Sequence, residues 1–294
     1  MKLVTFLKDG HLTLGVKTEK GIIDIRASLA VNPNEGIPID MMSLIQAGSS
    51  SIFKLKEYID ENDQLLVLNE KEIEWGPCVS EPQKIICVGL NYRRHADETN
   101  APYPEVPILF SKFNNSLTSH LSDITVPKVT DKLDYEVELG IVIGKKAKSV
   151  TTEESLEHVF GYCTVNDLSA RDLQMRTHQW LLGKTSDGFC PVGPYLVTAD
   201  EVGDPQNLQL TTKVNGEIRQ HSSTSDMIFS CAEIVSYISQ HMTLEPGDLI
   251  LTGTPEGVVL GYPEEQQVYL NPGDVVTVEV EKVGALTNRL VKEK

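Results

Sequence analysis

Long hydrophobic runs are absent from the 294-residue sequence. No stretch approaches the ~20 consecutive apolar residues that a membrane-spanning helix needs. The first ten residues include Lys2 and Lys8 but no sustained apolar segment followed by a cleavage site, which argues against a secretory signal peptide. These absences predict a protein with no membrane partner. The balance of 40% apolar and 23% charged residues is typical of a soluble globular fold.

Cysteine is scarce and scattered. The sequence has five cysteines, an odd number, and none of them forms a C-x-x-C pair. This usage favours buried thiols in a reducing compartment over a disulfide framework or a zinc site. We therefore expect a cytoplasmic protein.

Basic residues are outnumbered, with 26 lysines and arginines against 42 acidic residues and a formal net charge of −16. Nucleic acids and anionic membranes bind basic patches, so the sequence predicts no nucleic-acid partner. A small anionic substrate stays possible, because one bound metal ion can reverse the sign of the local potential.

The first 80 residues have the pattern of a small α+β domain. Two short strand patterns flank the turn at Asp9-Gly10, a third covers 21–25, and Asp40 can cap the first of two short helices. A turn-rich stretch over 75–82 predicts the boundary. We therefore predict a small N-terminal domain over residues 1–80.

Residues 81–294 show strands mixed with a few helices, so we predict a β-rich main domain and an α+β fold overall. Thr151 with Glu154 forms a capping-box pattern. Helices are predicted over 170–182 and, from an amphipathic pattern, from Met227 to Ile238.

An acidic segment, 134–139, has the sequence Asp-Tyr-Glu-Val-Glu-Leu. In a strand, Glu136 and Glu138 would lie on one face about 6.5–7 Å apart, where they repel unless the face is solvated or a cation lies between them. Pattern alone favours a solvent-exposed edge strand. Asp167, which follows another predicted strand, could cap the next helix or supply a third carboxylate. Three oxygen ligands suit magnesium or manganese better than zinc.

His95 and Glu98 follow a predicted buried strand over 84–90. If this segment is helical, their spacing lets the two side chains meet. A carboxylate that orients an imidazole suits a general base that activates water. Spacing alone is more typical of a surface pair.

Polar residues after Asp167 form a third candidate group. Arg171, Gln174 and Lys184 could clamp a substrate carboxylate or stabilise a developing oxyanion. Arg171 could equally pair with a surface carboxylate. The glycine-punctuated loop 251–257 could offer backbone N–H groups and the Thr254 hydroxyl to an anion.

In this order, these segments resemble the fumarylacetoacetate hydrolase superfamily, and in particular its bacterial two-domain members. The resemblance covers roughly 82–290, and residues 1–80 resemble the small domain that many bacterial members carry. The matching motifs are Gly89-x-Asn91-Tyr92-x-x-His95-x-x-Glu98, Asp134-Tyr135-Glu136-x-Glu138-Leu139, Asn166-Asp167-x-Ser169-Ala170-Arg171-Asp172-x-Gln174, Gly183-Lys184 and Thr252-Gly253-Thr254-Pro255-x-Gly257-Val258.

The resemblance implies a catalytic domain of mixed β-sandwich or β-roll type, usually paired as a homodimer. It also implies a Mg²⁺ or Mn²⁺ ion bound by Glu136, Glu138 and Asp167. His95 and Glu98, on a segment that closes as a lid, would activate water or move a proton.

The same resemblance implies the residues that meet the substrate. Lys184 would be a catalytic residue. Both Lys184 and Gln174 would contact the substrate's oxygens. Thr254 would lie where the substrate carboxylate or oxo group is held. Arg171 would bind substrate or support the site structurally.

Together these observations favour a metal-dependent hydrolase that cleaves a carbon–carbon bond in an acylpyruvate-type substrate through an enolate that the metal stabilises. His95 would deprotonate the attacking water. The same enolate arises in an oxaloacetate decarboxylase or a 2-oxo-acid isomerase, and the residues do not separate these alternatives. A non-catalytic, metal-stabilised scaffold or regulatory protein is the alternative of another class.

Overall fold

A twelve-stranded mixed sheet is the largest element of the computed structural model, which describes residues 1–293. Ten strands follow the order β4-β3-β2-β1-β14-β12-β11-β17-β6-β7, while β5 pairs with β1 and β8 with β14. The strands are β1 Lys2–Lys8, β2 His11–Thr18, β3 Gly21–Asp24, β4 Val67–Leu68, β5 Glu74–Trp75, β6 Ile85–Gly89, β7 Ile108–Lys112, β8 Leu117–Thr118, β9 Asp123–Val126, β10 Leu133–Asp134, β11 Val137–Ile143, β12 Val159–Asn166, β13 Ser169–Ala170, β14 Cys190–Thr198, β15 Gln209–Val214, β16 Glu217–Ser223, β17 Leu249–Leu251, β18 Val275–Val280 and β19 Gly284–Lys292.

A five-stranded sheet, β16-β15-β18-β19-β9, forms a second layer, and β10 pairs with β13 in a short ribbon. The α-helices are α1 Ile25–Val31, α2 Met41–Ala47, α3 Ser49–Glu61, α4 Arg93–Glu98, α5 Thr152–Ser155, α6 Arg171–Gln174, α7 Leu181–Lys184, α8 Ala199–Val202 and α9 Cys231–His241. Short 3₁₀ turns cover Asn114–Ser116, Leu156–His158, Thr224–Asp226, Val259–Gly261 and Glu264–Gln266. The mixed, strand-rich architecture confirms the predicted α+β class.

The N-terminal strands extend the large sheet. The predicted hairpin around Asp9-Gly10 forms, and β1 pairs along its other edge with β14. Asp40 caps α2 as predicted, accepting a hydrogen bond from the Ser43 N–H at 2.8 Å. The division into 1–80 and 81–294 stays a prediction, and its last residue, 294, lies outside the described residues.

Helix α1 is an element that the strand pattern over 21–25 did not predict. Asp24 ends β3 and also accepts a hydrogen bond from the Ala27 N–H at 2.9 Å. This cap satisfies one of the free N–H groups at the start of the helix, so the chain turns directly from strand to helix.

Strand β11 lies in the middle of the large sheet, between β12 and β17, and all of its residues are buried. Val137, Leu139 and Ile141 on one face share a core with Val278 and Leu286 of the five-stranded sheet. The expectation of a solvent-exposed edge strand is therefore wrong. The acidic face of β11 is enclosed by the fold.

Two helix boundaries differ from the sequence pattern. Helix α9 begins at Cys231 rather than Met227, because Ser230 and Glu233 form a capping box. The helix predicted over 170–182 is instead α6 and α7 with a loop between them, and α7 folds back onto α6. A Cβ atom on Gly183 would lie only 2.5 Å from Gln174, so this close approach requires glycine.

The predicted capping box of Thr151 and Glu154 is present at the start of α5. All five cysteines are free and buried. No helix within residues 1–293 is long and apolar enough to span a membrane.

Candidate active site

Three carboxylates converge where β11 begins and β12 ends. One oxygen each from Glu136, Glu138 and Asp167 lies within 4.8 Å of the others, and all three residues are buried. The strand ends are joined by the Asp167 N–H, which donates to the Glu136 carbonyl at 2.9 Å, and by the Glu136 N–H, which donates to Asn166 Oδ1 at 3.0 Å. Asp167 does not cap the following helix, because its carboxylate is turned into this cluster.

Three buried cations surround two of these carboxylates. Lys184 Nζ lies 2.7 Å from Glu136 and 2.9 Å from Asp167. Lys112 Nζ lies 2.5 Å from Asp167, and Arg171 Nη2 lies 2.7 Å from Glu136. Burial alone would raise the pKa of Glu136, but Lys184 and Arg171 lower that pKa to about 2. Likewise, burial opposes the Lys184 charge, yet Asp167 and Glu136 raise the pKa of Lys184.

Glu138 is in a different electrostatic environment from the other two carboxylates. Its Oε2 atom accepts a hydrogen bond from the Gly253 N–H at 2.6 Å. Burial, followed by the neighbouring charges of Asp167 and Glu136, raises the pKa of Glu138 well above its usual value. A cation between the oxygens would offset the repulsion among these buried carboxylates.

The donor chemistry of this cluster fits a hard divalent cation. The group found within residues 1–293 offers carboxylate oxygens alone, the ligands that Mg²⁺ and Mn²⁺ prefer. The raised pKa of Glu138 agrees with a site whose charge is incomplete without a cation. The residues present therefore fit the predicted Mg²⁺ or Mn²⁺ cofactor.

Helix α4 carries a histidine–glutamate pair in which the histidine is buried and the glutamate is partly exposed. His95 Nδ1 lies 2.7 Å from Glu98 Oε1, and His95 is 8% exposed. The second Glu98 oxygen accepts a hydrogen bond from the Gly257 N–H at 2.9 Å. Before the helix, Asn91 donates to the Thr252 carbonyl at 2.7 Å and so fixes the turn to the same loop. The expectation of a surface pair is wrong.

Arg171 lies inside the site rather than in a surface ion pair. Its Nε donates to Asp134 Oδ2 and its Nη1 donates to Gln174 Oε1, each at 2.9 Å. Asp134 also accepts hydrogen bonds from the backbone N–H groups of Val259 and Leu260, at 2.9 and 3.1 Å. Asp134 thus links the arginine to the loop after β17. The sequence analysis assigned Asp134 no role, although it opens the acidic motif.

Thr254 is held by a glutamine from the second sheet. Gln220 Nε2 donates to Thr254 Oγ1 at 2.9 Å, and Gln220 Oε1 accepts from the Val137 N–H at 3.0 Å. Gln220 is buried in β16. Sequence reasoning missed it because the contact is made across two sheets and no local pattern marks it.

Lys112 is the second site residue that sequence reasoning missed. Its side chain is fully buried on β7 and donates to Asp167. A lysine within the mainly apolar segment 106–113 is the signal that could have found it, since a buried lysine needs a carboxylate partner.

A cavity of about 220 Å³ gathers these groups. Apolar side chains form part of its wall, among them Val88, Ile108, Phe110, Trp180 and Leu260. Glu98 and Asp167 do not line the cavity themselves. They lie behind lining residues, to which they are hydrogen-bonded or ion-paired. The predicted site residues that line the cavity are His95, Glu136, Glu138, Arg171, Gln174, Lys184 and Thr254. A single cavity therefore combines an imidazole, a carboxylate cluster and two cations.

Residues 84–291 match the family described as fumarylacetoacetate (FAA) hydrolase C-terminal. The chain belongs to the fumarylacetoacetate hydrolase family. The predicted family is thereby confirmed, and with it a metal-dependent enzyme with a divalent metal cofactor. The family match therefore favours an enzyme over the alternative of a non-catalytic scaffold or regulatory protein.

Curated relatives from this family match almost the whole chain. Oxaloacetate tautomerase FAHD2A, mitochondrial, of Homo sapiens is 40% identical over 297 residues, which cover 99% of this chain and 92% of the relative. The protein of the same name from Bos taurus is also 40% identical, with the same coverage. The prediction of a cytoplasmic location is wrong, because these relatives are named as mitochondrial proteins.

Solved structures from the family show the same fold over the full chain. A fumarylacetoacetate hydrolase from Exiguobacterium antarcticum superposes with a TM-score of 0.86 and 36% identity, covering 100% of both chains. A maleylpyruvate hydrolase from Sphingobium sp. SYK-6, solved in complex with manganese(II) ion and pyruvate, has a TM-score of 0.81 and 30% identity, again covering 100% of both chains. The predicted fold of the fumarylacetoacetate hydrolase type is confirmed.

Proposed function

We propose that this enzyme moves a proton at carbon 3 of a small 2-oxo dicarboxylate, and that oxaloacetate, interconverted between its enol and keto forms, is the first candidate substrate. The observation that carries the proposal is that His95, oriented by Glu98, lines the same 220 Å³ cavity as the carboxylate cluster. Curated relatives named oxaloacetate tautomerase support the choice of substrate. This is the isomerase alternative of the sequence analysis rather than its first choice.

Glu136, Glu138 and Asp167 would hold the Mg²⁺ or Mn²⁺ ion, because their oxygens already converge within 4.8 Å. When bound, the metal supplies a Lewis acid that polarises the carbonyl at carbon 2 and makes the carbon 3 proton more acidic. Lys184 and Arg171 hold Glu136 ionised. Glu136 is therefore charged and oriented before the substrate arrives.

His95 would act as the proton carrier. Glu98 accepts from Nδ1, so Nε2 is the ring nitrogen that a substrate in the cavity would meet. Nε2 takes a proton from carbon 3, the electron pair forms the carbon 2–carbon 3 double bond, and the carbonyl electrons move to the oxygen at carbon 2. A proton from water on that oxygen gives the enol, the hydroxide left behind takes the proton from Nε2, and the reverse sequence restores the ketone.

Gln174, Lys184 and Thr254 would orient the substrate carboxylates. Gln174 is anchored through Oε1 by Arg171, and Thr254 is anchored by Gln220. The cavity is smaller than the ~300–1,000 Å³ typical of sites for drug-sized ligands, which favours a short substrate. The apolar wall would keep bulk water away from the reacting carbon.

Hydrolysis of an acylpyruvate is the second candidate. The His95–Glu98 pair could equally deprotonate a water molecule that attacks the distal carbonyl, and cleavage would release the enolate of pyruvate and a carboxylic acid. The neighbouring structure of a maleylpyruvate hydrolase with manganese(II) and pyruvate supports this alternative. Loss of carbon dioxide from oxaloacetate would give the same enolate.

One nuclear magnetic resonance assay distinguishes these reactions. The purified protein with Mg²⁺ or Mn²⁺ would be mixed in separate reactions with oxaloacetate and with acetylpyruvate. A tautomerase equilibrates enol and keto oxaloacetate faster than it forms pyruvate. Pyruvate and acetate appearing from acetylpyruvate faster than oxaloacetate equilibrates would favour the hydrolase. Pyruvate and carbon dioxide appearing first would favour the decarboxylase.

We also propose that the enzyme works as a homodimer, as the family resemblance implies. Sedimentation equilibrium giving the mass of one chain would contradict this proposal.

A further inference from the structure

Trp180 lies between the catalytic cavity and a larger neighbouring cavity. The larger cavity has a volume of about 770 Å³, and Trp180 and Phe110 line both spaces. The two rings meet edge-to-face, with centroids 5.3 Å apart and an interplanar angle of 67°. This aromatic pair therefore forms a wall that the two cavities share.

The position of the Trp180 ring depends on Gly89. A Cβ atom at Gly89 would lie 2.5 Å from Cζ3 and 2.8 Å from Cη2 of Trp180, so any other residue would displace the ring. Gly89 ends β6, just before the segment that carries His95. On the other side, the Trp180 carbonyl accepts a hydrogen bond from the Gly183 N–H at 2.9 Å, at the start of the helix that carries Lys184. The wall thus contacts both the segment that leads to His95 and the helix that carries Lys184.

We propose that Trp180 determines the length of the substrate by closing the catalytic cavity against the larger one. The inference rests on the proposed function, in which a 2-oxo carboxylate binds at the carboxylate cluster. A short chain ends before the wall, whereas a longer chain would collide with the indole. The larger cavity has apolar lining residues, including Leu109, Phe113 and Met242, and would accept an alkyl chain once the indole is removed.

The test measures binding rather than turnover, with straight-chain 2-oxo acids that contain no cleavable β-diketone. Calorimetry on the Mg²⁺-loaded protein compares 2-oxobutanoate with 2-oxodecanoate for the wild type and for Trp180→Ala. We expect the wild type to bind the long acid at least about tenfold more weakly than the short one. We expect Trp180→Ala to bind the long acid about tenfold more tightly than the wild type does, since the wall is removed.

Two further variants make the comparison specific. Leu182→Ala removes a side chain that is 54% exposed and lines neither cavity, so it should keep the wild-type preference. Gly89→Ala leaves Trp180 in place but displaces its ring, so it should shift the preference in the same direction as Trp180→Ala. It supplies the same comparison if Trp180→Ala does not fold.

The outcomes separate the inference from the proposed function. If the wild type binds 2-oxobutanoate and the variants at Trp180 and Gly89 show the wild-type dependence on chain length, the inference is overturned and the proposed function stands. If the Mg²⁺-loaded wild type binds no 2-oxo acid, the proposed function fails and the inference fails with it.

Discussion

His95 Nδ1 lies 2.7 Å from Glu98 Oε1, one helical turn away, and Glu98 Oε2 accepts a hydrogen bond from the Gly257 N–H at 2.9 Å. Each oxygen of this carboxylate therefore has its own donor. Glu98 fixes the tautomer and the plane of the imidazole, and it ties α4 to the loop that carries Thr254. This arrangement leads to the first prediction.

Glu98→Gln should lower kcat about 100-fold or more while changing metal affinity little. Glutamine offers one acceptor oxygen, so it cannot accept from both His95 and Gly257, and the imidazole loses its fixed orientation. Steady-state kinetics together with calorimetric titration of Mg²⁺ measures both quantities. An unchanged kcat would contradict the role assigned to Glu98, and a lost metal site would show that the variant damaged the carboxylate cluster instead.

Glu138→Gln should abolish the stabilisation that a divalent metal gives, without lowering the stability of the metal-free protein. The substitution removes a buried charge that Asp167 and Glu136 repel, and the amide can still accept from the Gly253 N–H. In the wild type, metal at 100 times its Kd should add about 2.7 kcal/mol. Thermal unfolding with and without Mn²⁺ tests this, with Glu279→Gln, an exposed carboxylate on β18, as the matched control.

If Mn²⁺ raises the melting temperature of Glu138→Gln as much as it raises that of the wild type, Glu138 does not belong to the proposed ligand set. A large loss of metal-free stability would contradict the repulsion inferred for this carboxylate. Glu279→Gln should behave as the wild type in both measurements.

Lys112→Met should destabilise the metal-free protein by about 3–5 kcal/mol, because Asp167 would keep its buried charge with only Lys184 to pair with it. A bound divalent metal supplies positive charge at the same carboxylate, so the loss should be smaller in its presence. Urea unfolding with and without Mg²⁺ measures the two values. Equal destabilisation in both conditions would mean that Lys112 does not share Asp167 with a metal.

His120 should make stability depend on pH. Its Nδ1 accepts a hydrogen bond from the Thr287 N–H at 3.0 Å, which requires the unprotonated nitrogen, and burial lowers the His120 pKa from 6.5 to about 4 although Glu70 opposes the shift. The unfolded chain therefore binds more protons between these two values. The contribution of His120 is present above pH 6.5 and is lost as the pH falls towards 4.

His120→Asn keeps an acceptor oxygen but does not titrate, so the free energy of unfolding should fall less steeply with decreasing pH in this window than in the wild type. Urea unfolding at a series of pH values measures the difference between the two slopes. Identical slopes would contradict the assigned protonation state. Other titrating groups contribute equally to both proteins and cancel in the comparison.

The sequence predicted the parts of the site that local pattern encodes. The two-residue spacing of Glu136 and Glu138 follows from strand geometry, and the i, i+3 spacing of His95 and Glu98 follows from helix geometry. The ordered motifs supplied Asp167 and the family. Local pattern could not show that β11 is central in the sheet, because alternation is the same at an edge and in the middle.

Contacts between distant segments explain what the sequence did not predict. Asp134 reaches Arg171 and the loop after β17, Gln220 reaches Thr254 from another sheet, and Lys112 reaches Asp167 across the core. Each partner is more than thirty residues away. The broken helix over 170–182 has a similar cause, since α7 packs back onto α6 through tertiary contacts that helix periodicity does not encode.

The most direct test of the central claim is exchange of the carbon 3 protons of oxaloacetate with deuterium from the solvent, followed by nuclear magnetic resonance. The protein with Mg²⁺ should accelerate exchange well beyond the rate with Mg²⁺ alone. Chelation of the metal should abolish the acceleration, and His95→Asn should reduce it about 100-fold or more. Exchange at the rate of free Mg²⁺, or acceleration that His95→Asn leaves intact, would contradict proton transfer by His95 at the metal site.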